Sequence, residues 1–341
     1  MSVNINAPNS LIIIAETAEK VNSFAPKNSD KWIEKKLNSG KIAGKLLGLG
    51  YEKRAERMSN CGNFLEYEFC ASCNSWHIKK ANLCRDRFCP ICGWRLSLQR
   101  YGNMCKIFEK LMQDDSSVEN IHNWSLITLT VKNCKGEDIK ETMSLMSKAW
   151  NLTLQQRDIK PHLEGWARST EITYNHEKKT FHPHYHVLIC WKLNVSNMMI
   201  NKWLLACKKY GITADIKAQD ASQINYFESS DGKEIKYAEI PADFTKAVLE
   251  TFKYSVKSKD MVDMPLGEFR NLVEQYGGKR LTAFGGIIKK IASELKVDNE
   301  EVQDDESSLQ ICRNCGSIDI QKLIYKWSYG ERAYKLWINQ Q

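Results

Sequence analysis

The segment Phe181-His-Pro-His-Tyr-His-Val-Leu-Ile189 constrains this chain more than any other. Its β-branched and aromatic residues favour a strand, and side chains two apart in a strand share a face. His182, His184 and His186 therefore project together, while Tyr185 and Val187 face the other way. Three of the chain's seven histidines are thus expected on one strand face. Neighbouring imidazoles crowd, and repel if protonated; a divalent cation removes that conflict, because neutral imidazole is a good ligand. Pro183 cannot donate to a ladder, which marks a strand start or an edge. The polar stretch 175–180 reads as a hairpin turn after a strand at 169–174. A turn centred near Glu177 and Lys178 places Glu171 across from His184. Oxygen plus nitrogen ligation suits Mg²⁺ or Mn²⁺. Taken alone, the same residues also fit a zinc hydrolase, or structural histidines in a binding module.

The twelve cysteines make the second strong pattern. The apolar run 11–15 is far too short to span a membrane and lacks the basic flank of a secretory signal. A cytoplasmic protein with no membrane contact is expected, in which metal sites are favoured over disulfides. Cys70-x2-Cys73 and Cys89-x2-Cys92 are fifteen residues apart, a spacing typical of a tetrahedral structural Zn²⁺ site. Cys61, His77 and Cys84 are spare candidates, and Cys312-x2-Cys315 is half a site. Arg85, Arg87 and Arg95 cluster around the second pair, where they suit phosphate contacts.

Lys and Arg exceed Asp and Glu by 49 to 41, a net charge of +8. That excess fits a polyanionic partner without demanding one. The order of patterns suggests a flexible arm at 1–30, a basic helical segment at 31–60 and a small zinc-binding module at 61–105. A main domain at 120–295, an acidic linker at 296–308 and a tail with a CxxC at 309–341 follow. Within the main domain, strands are expected at 124–131, 169–174, 181–191 and 212–218. Helices are expected from Met143 to about Arg157, then at 198–209, 242–257 and 266–276. The implied fold class is α+β, a central antiparallel sheet flanked by helices and preceded by the zinc-binding module.

Glu250 and Tyr254 lie four apart in the expected helix 242–257 and so share a face. Lys253 and Lys257 flank them. A phenol, with a pKa of about 10, is a poor nucleophile near neutrality. A nearby cation lowers that pKa, and Glu250 offers a general base. By itself the pair is also compatible with plain surface residues.

In order, the segments Cys84-Arg-Asp-Arg-Phe-Cys-Pro-Ile-Cys92, Trp124-Ser-Leu-Ile-Thr-Leu-Thr-Val-Lys-Asn133, His182-Pro-His-Tyr-His-Val-Leu188, Glu250-Thr-Phe-Lys-Tyr-Ser-Val-Lys257 and Gly278-Lys-Arg-Leu-Thr-Ala-Phe-Gly-Gly286 resemble the replication initiators of rolling-circle plasmids of Gram-positive bacteria. These belong to the His-hydrophobic-His (HUH) endonuclease superfamily. The resemblance implies that Tyr254 attacks a phosphodiester in single-stranded or supercoiled origin DNA. It implies a 5′-phosphotyrosine, a free 3′ hydroxyl, and a terminating cut by water that Glu250 activates. It makes His184 and His186 ligands of the catalytic metal, with His182 a third ligand or a neighbour and Glu171 the carboxylate. Lys253, Lys257, Arg85, Arg87 and Arg95 are the expected DNA contacts. No glycine-rich phosphate-cradling motif of a helicase is present, so a host helicase and DNA polymerase are the implied partners. The alternatives are an HUH transposase or mobilisation nuclease, and a non-catalytic zinc-ribbon DNA-binding protein.

Overall fold

The computed structural model describes residues 29–114, 123–224, 242–253, 255–276, 280–297, 311–312 and 314–337. Residues 1–28 of the expected arm and most of the acidic linker lie outside these residues. Two antiparallel sheets organise the chain. The larger has the order β6-β3-β5-β4-β7, from β3 (Asn123–Thr130), β4 (Leu163–Asn175), β5 (Thr180–Trp191), β6 (Asp220–Ile224) and β7 (Thr282–Gly285). The smaller has the order β2-β1-β8-β9, from β1 (Phe64–Cys70), β2 (Ser75–Ala81), β8 (Ile320–Ser328) and β9 (Ala333–Leu336). The α+β class and the helix-flanked antiparallel sheet are as expected.

The central strand β5 is buried on both faces, and from Val187 to Trp191 it reads as a continuous apolar run. Tyr185, Val187 and Ile189 pack with Met146, Trp150 and Trp203 from helices α4 (Ile139–Leu154) and α5 (Ser196–Lys209). Leu188 and Cys190 face the opposite layer. There Phe108, Phe244, Val248 and Ile288 come from α3 (Pro90–Asp114), α6 (Ala242–Thr251) and α9 (Gly286–Glu294). His184 and His186 share the parity of Leu188, so they project toward the α3 and α6 side. The hairpin register pairs Glu171 with His184, as the turn at 175–180 predicts.

Helices α1 (Ser29–Gly48) and α2 (Glu52–Asn60) fill the basic segment. Much of its charge is turned inward and does not lie free for phosphate. Lys36 Nζ donates to the carbonyls of Ser59 and Cys61, and Lys45 Nζ to those of Met261 and Met264. The core around Trp32, Leu46, Tyr67 and Phe88 runs on into α8 (Leu266–Tyr276) and into Ile172 and Phe181. One hydrophobic core thus runs from the small sheet through the helices to the turn end of the β4–β5 hairpin.

Three expectations need correction. The C-terminal segment is not a separate tail: residues Ile320–Lys326 of β8 pair with the full length of β1, and β9 extends the sheet. The helix expected over 242–257 ends at Thr251. Beyond it the chain runs beside β4, where Ser255 O accepts from Ile172 N at 2.8 Å and Val256 forms a parallel bridge to Ile172. Finally, 212–218 is not a strand. The Asp215 side chain caps a single 3-10 turn at Ile216–Ala218, which moves strand pairing to Asp220–Ile224.

Candidate metal and nuclease centre

Glu171, His184 and His186 meet on one face of the β4–β5 hairpin, and all three are buried. The Nε2 atoms of His184 and His186 each lie 3.1 Å from Glu171 Oε2. On the far side of each ring Nδ1 has a partner: the His182 carbonyl, an acceptor, at 3.2 Å for His184, and the Thr128 hydroxyl, which can accept, at 3.3 Å for His186. An imidazole that donates from Nδ1 is free to offer the Nε2 lone pair to a cation. Thr128 is placed for this by strand register, since it pairs directly with His186.

These donors fit a small divalent ion. Octahedral ligation with bonds of about 2.1 Å has ligand–ligand edges of about 3.0 Å, close to the 3.1 Å separations here. A positive charge already sits at this oxygen: Lys253 Nζ is 3.0 Å from Glu171 Oε2. Burial opposes ionisation of Glu171. The approach of His184 and His186 and the charge of Lys253 outweigh it, so the carboxyl is held well below the usual carboxylate range. Burial likewise opposes the Lys253 ammonium, but Glu250 and Glu171 raise its pKa on balance.

Glu250, in the last turn of α6, is half-exposed at the rim. Its Oε1 lies 3.6 Å from His186 Nε2 and is paired with Lys253. A carboxylate that touches both the cluster and solvent is suited to take a proton from a water molecule. Tyr254 lies outside the described residues, so the structure speaks only for its chain neighbours. Lys253 is held at Glu171, and Ser255 is bonded to the residue next to Glu171.

His182 does not join the group of ligand atoms. Its Nδ1 bonds Asn133 Oδ1 at 2.8 Å, and its ring packs on His184 with centroids 5.4 Å apart. Burial, reinforced by His184, pushes its pKa down. It is a neighbour of the cluster. Asn133 and Thr128, which hold the rings, were not singled out from sequence; both lie in the 124–133 motif, and the strand register is the signal that finds them. Lys253 stands at the cluster itself, at Glu171, whereas the sequence reading placed it beside Glu250 and Tyr254 and on DNA.

The tetrad expected from Cys70, Cys73, Cys89 and Cys92 does not assemble. Cys89 and Cys92 instead meet two of the three spare candidates, Cys61 and Cys84, all four buried. Cys92 Sγ lies 3.6 Å from Cys61 Sγ and 3.7 Å from Cys84 Sγ. Backbone N–H groups of Cys84 and Arg85 donate to Cys61 and Cys92 sulfurs at 3.4 and 3.2 Å. Cys70 and Cys73 converge with Cys312 and Cys315. The β1–β2 hairpin is the reason: a seven-residue strand is about 23 Å long and carries Cys70 and Cys73 to its tip, while Cys61 and Cys84 flank its base. His77 lies on β2 opposite Glu68, in neither group.

Arg85 and Arg87, with Lys253, line a cavity of about 290 Å³ between the start of α3 and residues 253–258. Arg87 also donates to Tyr276 O at 3.1 Å. Arg95 lies outside this lining, its guanidinium 6.0 Å from the centroid of the Trp32 ring, and Lys257 is exposed at the start of α7 (Ser258–Asp263). Among the described residues no helix is long and apolar enough to cross a membrane.

A family model described as "Replication protein" matches residues 75–335. The chain is 34% identical over 272 residues to "Protein rep" of Bacillus amyloliquefaciens, covering 74% of this chain and 76% of that one. It is 31% identical over 273 residues to "Protein rep" of a Bacillus species, covering 74% and 83%. It is 27% identical over 274 residues to "Protein rep" of Streptococcus pneumoniae, covering 79% and 81%. No solved structure matches the chain.

Proposed function

The chain belongs to the replication-protein family, and on that premise we propose that it initiates rolling-circle replication of a plasmid by nicking one strand of the origin. The observation that carries this reading is the convergence of Glu171, His184 and His186 with Glu250 and Lys253, immediately before Tyr254 in sequence. The chemistry required is phosphodiester transfer to a side chain. Glu171, His184 and His186 would hold Mg²⁺ or Mn²⁺, which supplies charge neutralisation at the scissile phosphate.

Tyr254 is the nucleophile. The phenol gives up its proton, its oxygen bonds to phosphorus, the bond to the 3′ oxygen breaks, and that oxygen takes up a proton to become the 3′ hydroxyl. The product is a 5′-phosphotyrosine with a 3′ end ready for polymerase. The ammonium of Lys253, adjacent in sequence, favours the phenolate. For termination Glu250 takes a proton from the water that attacks the second phosphodiester; the bond from phosphorus to the 3′ oxygen breaks, and that oxygen takes up the proton. That role follows from its rim position.

Arg85, Arg87 and Lys253 supply positive charge to the single strand along the cavity beside the centre, the sequence-independent part of its binding. Cys61, Cys84, Cys89 and Cys92 hold a structural Zn²⁺ that fixes the start of α3, where Arg85 and Arg87 begin this wall. Strand separation and synthesis fall to a host helicase and DNA polymerase. The test is conversion of a supercoiled plasmid carrying the chain's own origin to nicked circles, with Mn²⁺ or with EDTA. Nicking that requires metal and origin is expected. Intact supercoils under both conditions, with binding retained, would favour a non-catalytic DNA-binding protein.

A further inference from the structure

We propose that Cys70, Cys73, Cys312 and Cys315 form a second Zn²⁺ site that clasps the C-terminal strands onto the β1–β2 hairpin. The inference rests on thiol geometry and not on the nuclease reading. The four sulfurs lie within 4.8 Å of one another. Cys70 Sγ is 3.7 Å from Cys315 Sγ, and Cys73 Sγ is 3.6 Å from Cys312 Sγ. These separations far exceed a disulfide bond of about 2.05 Å. They match the edge of about 3.8 Å that a tetrahedron with Zn–S bonds of 2.3 Å requires.

The two CxxC loops are built alike. Each is followed by a residue in the left-handed region, Asn74 at φ 54° and Gly316 at φ 73°. In the second loop Gly316 N–H donates to Cys312 O at 2.8 Å and Asn314 N–H to Cys312 Sγ at 3.4 Å. The loops touch through Ser72 and Ser317, whose hydroxyl oxygens are 2.8 Å apart. Two such turns pressed face to face present four sulfurs to a single ion.

This end of the small sheet has little apolar burial to hold it. Ile318 is 82% exposed, and Tyr325 is the single buried residue described in β8. Where a core is too thin, a metal supplies the missing stabilisation. The site joins cysteines 239 and 245 residues apart, so the ion closes the first strand pair against the last.

The experiment exchanges zinc for Co²⁺ in the full chain and reads the sulfur-to-cobalt charge-transfer band, to which Glu171, His184 and His186 do not contribute. The wild type is expected to show two all-thiolate ions per chain, and the double variant Cys312→Ser/Cys315→Ser half that band. A single thiolate-bound ion in the wild type, an undiminished band in the double variant, or iron in the purified protein would overturn the proposal. ¹¹³Cd NMR of the unsubstituted chain keeps the question open to refutation should the variant not fold. Two tetrathiolate resonances are expected, and one contradicts the site.

Discussion

Lys253 Nζ lies 3.0 Å from Glu171 Oε2, the same oxygen that both imidazole nitrogens approach at 3.1 Å. On the proposed reading, ammonium and metal ion compete for one carboxylate. Lys253→Met is expected to tighten Mn²⁺ binding roughly two- to fivefold, the scale of one partly exposed ion pair, while slowing nicking. Mn²⁺ titration followed by electron paramagnetic resonance checks this. Unchanged or weaker affinity would show that Lys253 does not occupy the cation's place.

The three histidines separate by role. His184→Ala removes a proposed ligand and is expected to abolish metal-dependent nicking. His182→Ala removes a ring held by Asn133 outside the ligand group, and a loss in metal affinity of about tenfold is expected, the low end for supporting residues. Calorimetric titration of Mn²⁺ into each variant distinguishes them. Equal loss of binding would restore His182 as a ligand.

The hairpin centre was legible from sequence because it is local. Period-two alternation put the histidines on one face, and one turn fixed Glu171 opposite His184. The thiol grouping was not. The C-x2-C spacing is silent on the hairpin that separates Cys73 from Cys89, and on a partner pair 239 residues away. The end of α6 was also hidden, since Ser255 and Val256 are tied to Ile172 of β4, a tertiary contact.

Glu250 stands at the rim while Glu171 is enclosed. Glu250→Ala is therefore expected to keep first-strand nicking within about tenfold of wild type, general acid–base groups being worth more than that only in the step they serve. It is expected to accumulate unresolved covalent complex after one replication round. Denaturing gels of replication products read both steps. Loss of the first nick would remove the water-activating role.

Gly286 sits at φ 59°, and a Cβ there would run into the Glu164 carbonyl. The close approach lets β7 and α9 seal the edge of β4 behind the centre. Gly286→Ala is expected to cost about 1–3 kcal/mol of stability, read as a lowered Tm. A Tm equal to wild type would mean the backbone relaxes freely there.

The central claim is that a metal held by Glu171, His184 and His186 serves a nucleophile at Tyr254. Its most direct test incubates the protein with single-stranded DNA carrying its own origin, with Mn²⁺ or with EDTA, and seeks a protein–DNA adduct on a denaturing gel. The account predicts an adduct with Mn²⁺ that is absent with EDTA and absent in Tyr254→Phe, which still binds the DNA. An adduct that persists in Tyr254→Phe, or no adduct despite tight binding, would contradict it.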